Sequence, residues 1–232
     1  MLKILTNNRL FFIIFLIWVV FGAVLQLLFT PTEIMFWINQ HHNSLSDSFF
    51  RYITLLGEDT IWLALLLYFA FEKYVKGIEN NQAIKVLLIS WLSKVLVSVS
   101  LKNIFNFPRP IEVYQHSGQA IHLVDGVTMH HWQSFPSGHT MTAFGFACVC
   151  LFVLKNTRLA MVFLFVAMLV GYSRMYLFQH FPRDVFAGSV LGVGVVVFML
   201  YGIKFFQNST LKWVLFSYFE RQYLVMKKNH YP

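Results

Sequence analysis

Apolar residues along the chain are gathered in long runs, and short polar stretches separate these runs. A helix needs about 20 apolar residues to cross the hydrocarbon core of a bilayer. The pattern predicts six helical spans, at residues 10–30, 60–74, 83–101, 138–154, 159–172 and 184–206. We therefore expect an all-α, integral membrane six-helix bundle that forms a single transmembrane domain over residues 1–232.

The two ends of the chain carry further signals. The first apolar run is longer than the apolar region of a signal peptide, and no small-residue cleavage site follows it, so we expect a retained span. The stretch at 208–232 mixes aromatic and basic residues, which is typical either of an amphipathic helix at the membrane surface or of a disordered tail.

Composition supports a membrane protein. Hydrophobic residues make up 57% of the chain and charged residues only 12%, whereas soluble domains carry about 25% charged residues. The net charge of +8 could indicate a nucleic-acid partner, but the basic residues are scattered singly between apolar runs, so we expect none. Cys148 and Cys150 are two residues apart in a predicted helix and point to different sides, so we expect two small buried side chains.

The predicted spans divide Lys and Arg unequally between the two sides of the membrane. The side with both termini carries 12 of the 18 basic residues, and Lys94 lies inside the third span. The opposite side carries Arg51, Lys102, Arg109, Arg174 and Arg183. Because cytoplasmic loops are enriched in Lys and Arg, we expect cytoplasmic termini in the cell's inner membrane, with the 31–59, 102–137 and 173–183 loops facing outward or into the periplasm.

Three of the outward cations, Lys102, Arg109 and Arg174, lie where the chain meets the bilayer. Any one of them could extend to lipid headgroups, which is the ordinary behaviour of long basic side chains. Three together would repel one another unless an anion lay between them, and the Arg side chain fits phosphate oxygens as a fork. The group therefore favours a phosphate-binding site.

The segment Pro136-Ser137-Gly138-His139 stands at the start of the fourth predicted span. Ser137 is suited to cap that helix, and Gly138 allows backbone N–H groups to approach a ligand closely. A helix N-terminus carries unpaired N–H donors and partial positive charge, so it favours phosphate. An ordinary helix cap and an anion site are compatible interpretations of the same residues.

At the start of the sixth predicted span, His180 and Asp184 are four residues apart. If this segment is helical, both side chains lie on one face, within reach of a hydrogen bond. A carboxylate on one ring nitrogen fixes the tautomer and leaves the other nitrogen free to act as base or nucleophile. For such an isolated pair, a purely structural hydrogen bond is the more common explanation.

Together these residues resemble the signature of the type 2 phosphatidic acid phosphatase (PAP2) superfamily of membrane lipid phosphatases. The signature has three parts in order: Lys, six residues, Arg-Pro; then Pro-Ser-Gly-His; then Ser-Arg, five residues, His, three residues, Asp. All eleven fixed positions match within residues 102–184, without a departure. They are Lys102, Arg109, Pro110, Pro136, Ser137, Gly138, His139, Ser173, Arg174, His180 and Asp184.

The resemblance implies a role for each matching residue. His180 would attack phosphorus and form a phosphohistidine, with Asp184 orienting its ring. His139 would protonate the leaving oxygen and later accept a proton from water. The phosphoryl oxygens would be bound by Lys102, Arg109, Ser137, Gly138 and Arg174. The resemblance implies no metal or other cofactor, because fixed cations take that place, and it indicates no obligate protein partner.

The implied substrate is a phosphorylated membrane lipid, such as undecaprenyl diphosphate, lipid A, phosphatidylglycerophosphate or phosphatidate. The active site would lie at the extracytoplasmic interface, where a headgroup can enter while its tails stay in lipid. Two other functions remain open: a phosphotransferase that passes the phosphoryl group to another lipid, and a transporter that binds headgroups without catalysis.

Two groups of polar residues lie outside the signature positions. The 111–134 loop contains His116, His122, His130, His131 and Asp125. Their spacing matches no usual zinc pattern, and a flap that selects the headgroup is the better interpretation. Lys94 lies inside the third span, where it could pair with Glu58 or Asp59, line the site, or extend to the interface.

Overall fold

The computed structural model describes the backbone of residues 8–208 and the side chains of residues 8–203, and within these limits every regular element is helical. The helices are α1 (Arg9–Leu28), α2 (Pro31–Gln40), α3 (Ser44–Ile53), α4 (Thr60–Tyr74), α5 (Asn81–Phe105), α6 (Pro110–Tyr114), α7 (Gly138–Val153), α8 (Thr157–Tyr176) and α9 (Pro182–Asn208). A 3₁₀ turn, Thr54–Gly57, joins α3 to α4. The all-α prediction is confirmed for the described residues; beyond residue 208, the predicted tail lies outside them.

The long apolar helices make this a multi-pass membrane protein. Four segments are long and apolar enough to cross a bilayer: Arg9–Leu28, Asn81–Tyr114, Thr157–Tyr176 and Pro182–Ile203. The pair Ser44–Gly57 and Thr60–Tyr74, bent by 52°, supplies a fifth if it counts as one span. The predicted fourth span is the shorter apolar helix α7, of 16 residues. The count of six therefore stays a prediction.

The outer surface of the long helices is apolar. Exposed side chains include Leu16, Leu67, Leu96, Phe165 and Phe198, one from each of α1, α4, α5, α8 and α9. In water such a surface would be unfavourable, whereas in a bilayer it faces hydrocarbon and the backbone polar groups are satisfied inside the helices. The helices α2 and α3, which the apolar pattern did not predict, are each only ten residues long.

Helix α7 lies in the middle of the described bundle and contacts α5, α8 and α9. Two glycines of α9 allow the backbones of α9 and α7 to touch. A Cβ atom on Gly188 would lie 2.7 Å from the Ser137 carbonyl oxygen, and one on Gly192 would lie 2.5 Å from the Met141 carbonyl oxygen. The Ser137 amide also donates to the Asp184 carbonyl oxygen over 3.0 Å. The N-termini of α7 and α9 therefore lie side by side.

Inside the bundle, Lys94 is buried and its ammonium donates to Asp59 and, over 3.0 Å, to Thr142. This confirms the pairing with Asp59 that the sequence left open. Cys148 and Cys150 are buried free thiols in the core of α7, as predicted.

Candidate active site at the ends of four helices

Most of the predicted site residues meet at one end of the bundle. Lys102 lies in the last turn of α5, and Arg174 lies in the last turn of α8. Ser137 caps α7, whose first two residues are Gly138 and His139, and Asp184 lies in the first turn of α9. His180 and Arg109 lie in the segments just before α9 and α6. The tertiary structure thus brings together residues that the sequence separates by up to 82 positions.

Asp184 is fully buried and tightly held. Its Oδ2 accepts hydrogen bonds from the Ser134 hydroxyl (2.5 Å) and from the Phe181 amide (3.0 Å). The local sequence explains this contact. Pro182 suits the first position of helix α9, and the Asp184 carboxylate, two residues further along, can accept from the amide of Phe181, which precedes the helix. His180 Nδ1 lies 3.7 Å from the same Oδ2.

The contact between His180 and Asp184 does not come from a shared helical face, and that expectation is wrong. Helix α9 begins at Pro182, so His180 precedes it. A turn after α8 places His180 instead, since its amide donates to the Arg174 carbonyl oxygen over 3.1 Å, and Phe178 adopts a left-handed φ of 57°. The imidazole is 1% exposed.

Arg109 and Arg174 carry buried charges at this site. Arg109 donates from Nε to the Trp132 carbonyl oxygen (3.0 Å), and Arg174 donates from Nη1 to the Thr54 hydroxyl (2.8 Å). Nε of Arg174 is buried and has no acceptor among the described residues. A buried charged donor without a partner is costly, so an anionic ligand suits this position.

Lys102 and Gly138 form the neighbouring wall. A Cβ atom on Gly138 would lie 3.7 Å from Lys102 Nζ and 3.8 Å from the Ser98 hydroxyl oxygen. The first amides of α7 therefore lie next to the ammonium group. Ser137 caps α7, as predicted, by accepting from the Thr140 amide over 3.4 Å. Helix N-terminus and cation together give an electrostatic environment that favours phosphate.

The surroundings of His180 favour the neutral form of its ring. Burial lowers its pKa well below the usual value of 6.5, and the charges of Arg109, Arg174 and Lys102 lower this pKa further. A neutral imidazole keeps one ring nitrogen with a free lone pair, which is the form that attacks an electrophile. The half-buried His139 lies within electrostatic reach of His180 and the same three cations.

Three polar residues at the site were missed at the level of sequence. Gln179 accepts from both arginines, Thr54 accepts from Arg174, and Ser134 donates to Asp184. Ser134 and Gln179 stand within three residues of signature positions, so their proximity was a usable signal. Nothing local marks Thr54, which lies 120 positions from Arg174 in the sequence.

The loop histidines do not gather around one point. His131 pairs with Glu112 at 2.7 Å, and His122 Nε2 lies 3.0 Å from both carboxylate oxygens of Asp47. His42 joins the latter group, but its ring stacks on His122 with centroids 3.6 Å apart and planes inclined by 5°. One ligand atom of each of His42, Asp47 and His122 lies within 4.8 Å of the others. This arrangement is a hydrogen-bonded anchor for the loop.

An open cavity of about 500 Å³ lies next to Trp132, whose carbonyl oxygen accepts from Arg109. Its lining consists of Asn106, His130, His131, Trp132 and Gln133. Burial lowers the pKa of His130, and the charges of Arg109, Arg174 and Lys102 contribute, so the cavity is within electrostatic reach of the site.

Known proteins resemble this chain in sequence and in fold. Undecaprenyl-diphosphatase BcrC of Bacillus subtilis is 28% identical over 174 residues, which is 74% of this chain and 79% of the relative. The crystal structure of Aquifex aeolicus LpxE matches with a TM-score of 0.60 and 30% identity, covering 73% of this chain and 94% of that one.

A second solved structure shows the same fold. It is the first transmembrane PAP2-type phosphatidylglycerolphosphate phosphatase from Bacillus subtilis, with a TM-score of 0.59, 23% identity, and coverage of 88% of this chain and 98% of that one. The family model of the PAP2 superfamily matches residues 83–207, more than half of the chain, and includes all eleven signature positions. The chain therefore belongs to the PAP2 superfamily.

Proposed function

We propose that this enzyme hydrolyses a phosphate or diphosphate monoester of a membrane lipid, without a metal, through a phosphohistidine at His180. One observation carries the proposal: a buried imidazole lies 3.7 Å from the Asp184 carboxylate and within electrostatic reach of the charges of Arg109, Arg174 and Lys102. A nucleophile, its orienting carboxylate and cations for the phosphoryl oxygens are the parts that phosphoryl transfer requires.

In the first step, Nε2 of His180 attacks phosphorus while the bond from phosphorus to the lipid oxygen breaks. Nδ1 faces Asp184, whose negative charge stabilises the positive charge that develops on the ring. A bound phosphoryl group offsets the charges of the cations around His139 and so favours its protonated form. His139 then donates this proton to the leaving oxygen, which departs as the lipid alcohol or, from a diphosphate, as the lipid monophosphate. The products of this step are the dephosphorylated lipid and phosphohistidine.

In the second step, His139 accepts a proton from a water molecule as the water oxygen attacks phosphorus. The bond between phosphorus and Nε2 breaks, and inorganic phosphate leaves. In both steps Lys102, Arg109 and Arg174 hold the equatorial oxygens, together with the amides at the start of α7. These fixed donors require no reorganisation during the reaction, which is the physical reason that such a site lowers the barrier.

The proposed orientation places this end of a six-helix bundle on the extracytoplasmic side of the cytoplasmic membrane. The excess of Lys and Arg at the opposite end supports it. A lipid headgroup would enter from the interface, with its tails between the exposed apolar faces of the helices. Undecaprenyl diphosphate is one candidate and phosphatidylglycerophosphate another, because relatives are named for these substrates. Lipid A and phosphatidate carry the same monoester chemistry.

The decisive test is phosphate release from purified undecaprenyl diphosphate, lipid A, phosphatidylglycerophosphate and phosphatidate in detergent, with EDTA present throughout. We expect the wild type to release phosphate from at least one lipid, and His180→Ala to lose nearly all turnover. His116→Ala, a loop histidine, is the matched control and is expected to keep full activity. Activity that disappears with EDTA, or that survives in His180→Ala, would contradict the mechanism.

The same experiment separates the two alternative functions. Release of phosphate only after a second lipid is added would indicate a phosphotransferase, and headgroup binding without any release of phosphate would indicate a transporter.

A further inference from the structure

Gln179 is a buried amide at the centre of the site, and its side chain belongs to none of the signature positions. It is the last of the five residues that the signature leaves open between Arg174 and His180. Only 1% of it is exposed. A buried polar side chain is costly unless all its groups are paired, so its partners are informative.

The partners of Gln179 lie in three segments: Arg109 just before α6, Arg174 in α8, and the loop at 115–134. Oε1 accepts from Nη1 of Arg109 at 2.9 Å and from Nη2 of Arg174 at 3.4 Å. Nε2 donates to the Thr128 carbonyl oxygen at 3.2 Å and contacts the Met129 sulfur at 3.0 Å. Reversing the amide would direct N–H groups at two cations, so the chemistry of the neighbours fixes its orientation.

We propose that Gln179 is a positioning residue, which spaces the two phosphate-binding arginines and couples them to the loop at 115–134. The inference rests on the proposed function, since it assigns Arg109 and Arg174 to the phosphoryl group. Two guanidinium groups repel each other, and a shared carbonyl oxygen offsets that repulsion without adding a charge. A carboxylate would neutralise the positive charge that phosphate needs. An apolar side chain would remove the acceptor that the two arginines share and would leave Arg109 Nη1 only the backbone carbonyl oxygen of residue 179, at 3.5 Å.

The coupling to the loop follows from the same amide. The 115–134 loop is anchored at its other side by His122, which lies against Asp47 and exchanges two hydrogen bonds with Asn39. Gln179 connects the Thr128 end of this loop to the arginines. When an anion fixes the arginines, the amide and the loop carbonyl are fixed with them. Thermodynamic linkage is reciprocal, so an ordered loop strengthens anion binding by the same free energy by which a bound anion stabilises the loop.

The kinetic test compares the wild type with Gln179→Met, which has similar size but neither amide group, and Gln179→Glu, which keeps the shape. Gln115→Ala, an exposed amide in the same loop, is the matched control. Orthovanadate serves as the probe, as a competitive inhibitor of phosphate release. We expect the inhibition constant of orthovanadate to rise about 10- to 100-fold in both Gln179 variants. This is the change in affinity that follows when hydrogen bonds to charged groups are lost. This constant does not depend on the fraction of folded enzyme, so misfolding alone cannot mimic the result.

The coupling is tested by hydrogen exchange of the loop amides, with and without orthovanadate. We expect orthovanadate to slow exchange in residues 115–134 of the wild type and of Gln115→Ala, but not of Gln179→Met. Wild-type inhibition constants in both Gln179 variants, or equal protection of the loop in Gln179→Met, would overturn the inference and leave the proposed function standing. If the wild type released no phosphate, the proposed function would fail, and orthovanadate binding measured by the same exchange experiment would still decide the role of Gln179.

Discussion

His180 Nδ1 lies 3.7 Å from Asp184 Oδ2, although only Asp184 belongs to a helix. The carboxylate is fixed by the Ser134 hydroxyl and the Phe181 amide, so it presents a stationary charge to the ring. The separation is longer than a hydrogen bond, and such contacts often tighten only when substrate is bound. The pair is therefore arranged for a charge that appears on the imidazole during the reaction.

The first prediction concerns this carboxylate. Asp184→Asn keeps the size and an oxygen acceptor but removes the charge that would stabilise the imidazolium. We expect kcat for phosphate release to fall about 100-fold or more, while the enzyme stays folded in detergent. Ser134→Ala removes only one contact to the carboxylate and is expected to cost about tenfold. Activity of Asp184→Asn within a factor of a few of the wild type would exclude the orienting role.

The second prediction concerns pH. His180 must be neutral to attack, so on the acid side of the pH profile activity declines as the pH falls through the pKa of His180. Burial and the charges of Arg109, Arg174 and Lys102 lower this pKa well below 6.5. We therefore expect the acid limb in the pH profile of kcat/KM to lie at lower pH than the pKa of an ordinary histidine. Arg109→Met removes one of these charges and raises the pKa of His180, which moves the acid limb to higher pH.

The control for the pH experiment is Arg51→Met, since Arg51 lies against Gly126 and is absent from the charges that act on His180. Its acid limb is expected to coincide with that of the wild type. An acid limb that stays in place in Arg109→Met, or shifts to lower pH, would show that this guanidinium does not act on the nucleophile.

The third prediction concerns the close contact between α7 and α9. A Cβ atom on Gly192 would lie 2.5 Å from the Met141 carbonyl oxygen, so Gly192→Ala must push the helices apart. We expect a loss of about 1–3 kcal/mol in stability, and lower activity, because Ser137 and Asp184 lie on the two separated helices. The measurements are the midpoint of thermal unfolding in detergent and phosphate release.

Gly194→Ala is the matched control on the same helix, because nothing lies within 4 Å of its added Cβ atom. This variant is expected to keep wild-type activity and to be equally stable or slightly more stable, since Ala favours helix. Equal effects of the two alanine substitutions would contradict the idea that α7 and α9 depend on backbone contact at Gly192.

The fourth prediction concerns the ion pair between Lys94 and Asp59. The Lys94 side chain is 4% exposed and that of Asp59 is 45% exposed. Removing Asp59 therefore leaves an unpaired charge that is buried, whereas removing Lys94 leaves an unpaired charge that is half exposed. Asp59→Leu leaves a buried ammonium with only Thr142 as acceptor, and we expect a loss on the order of 3 kcal/mol. Lys94→Met leaves a carboxylate that is only partly buried and is expected to cost clearly less.

Thermal unfolding of both single variants and the double variant checks this asymmetry. The double variant is expected to be more stable than Asp59→Leu alone, because it no longer contains an unpaired buried charge. A larger loss for Lys94→Met than for Asp59→Leu would contradict the assignment of Lys94 as the buried partner.

Much of the fold could be predicted from local pattern. The predicted span at 60–74 coincides with α4, and the predicted start at Gly138 coincides with the start of α7, which Ser137 caps. Both depend on neighbouring residues: apolar runs long enough for a bilayer, and a hydroxyl placed to accept from the first free amides. The short helix α2 was missed, although Thr30 and Glu33 form a capping box that marks its start.

The sequence by itself determined the all-helical membrane architecture and the residues of the PAP2 signature. Both depend only on the order and spacing of residues along the chain. Only the tertiary structure decided how these residues are held. Arg174 bonds to Thr54, 120 positions away, and Arg109 bonds to Gln179, 70 positions away. Polar groups buried in a medium of low dielectric must find partners wherever the fold brings them, and no local pattern specifies which partners those are.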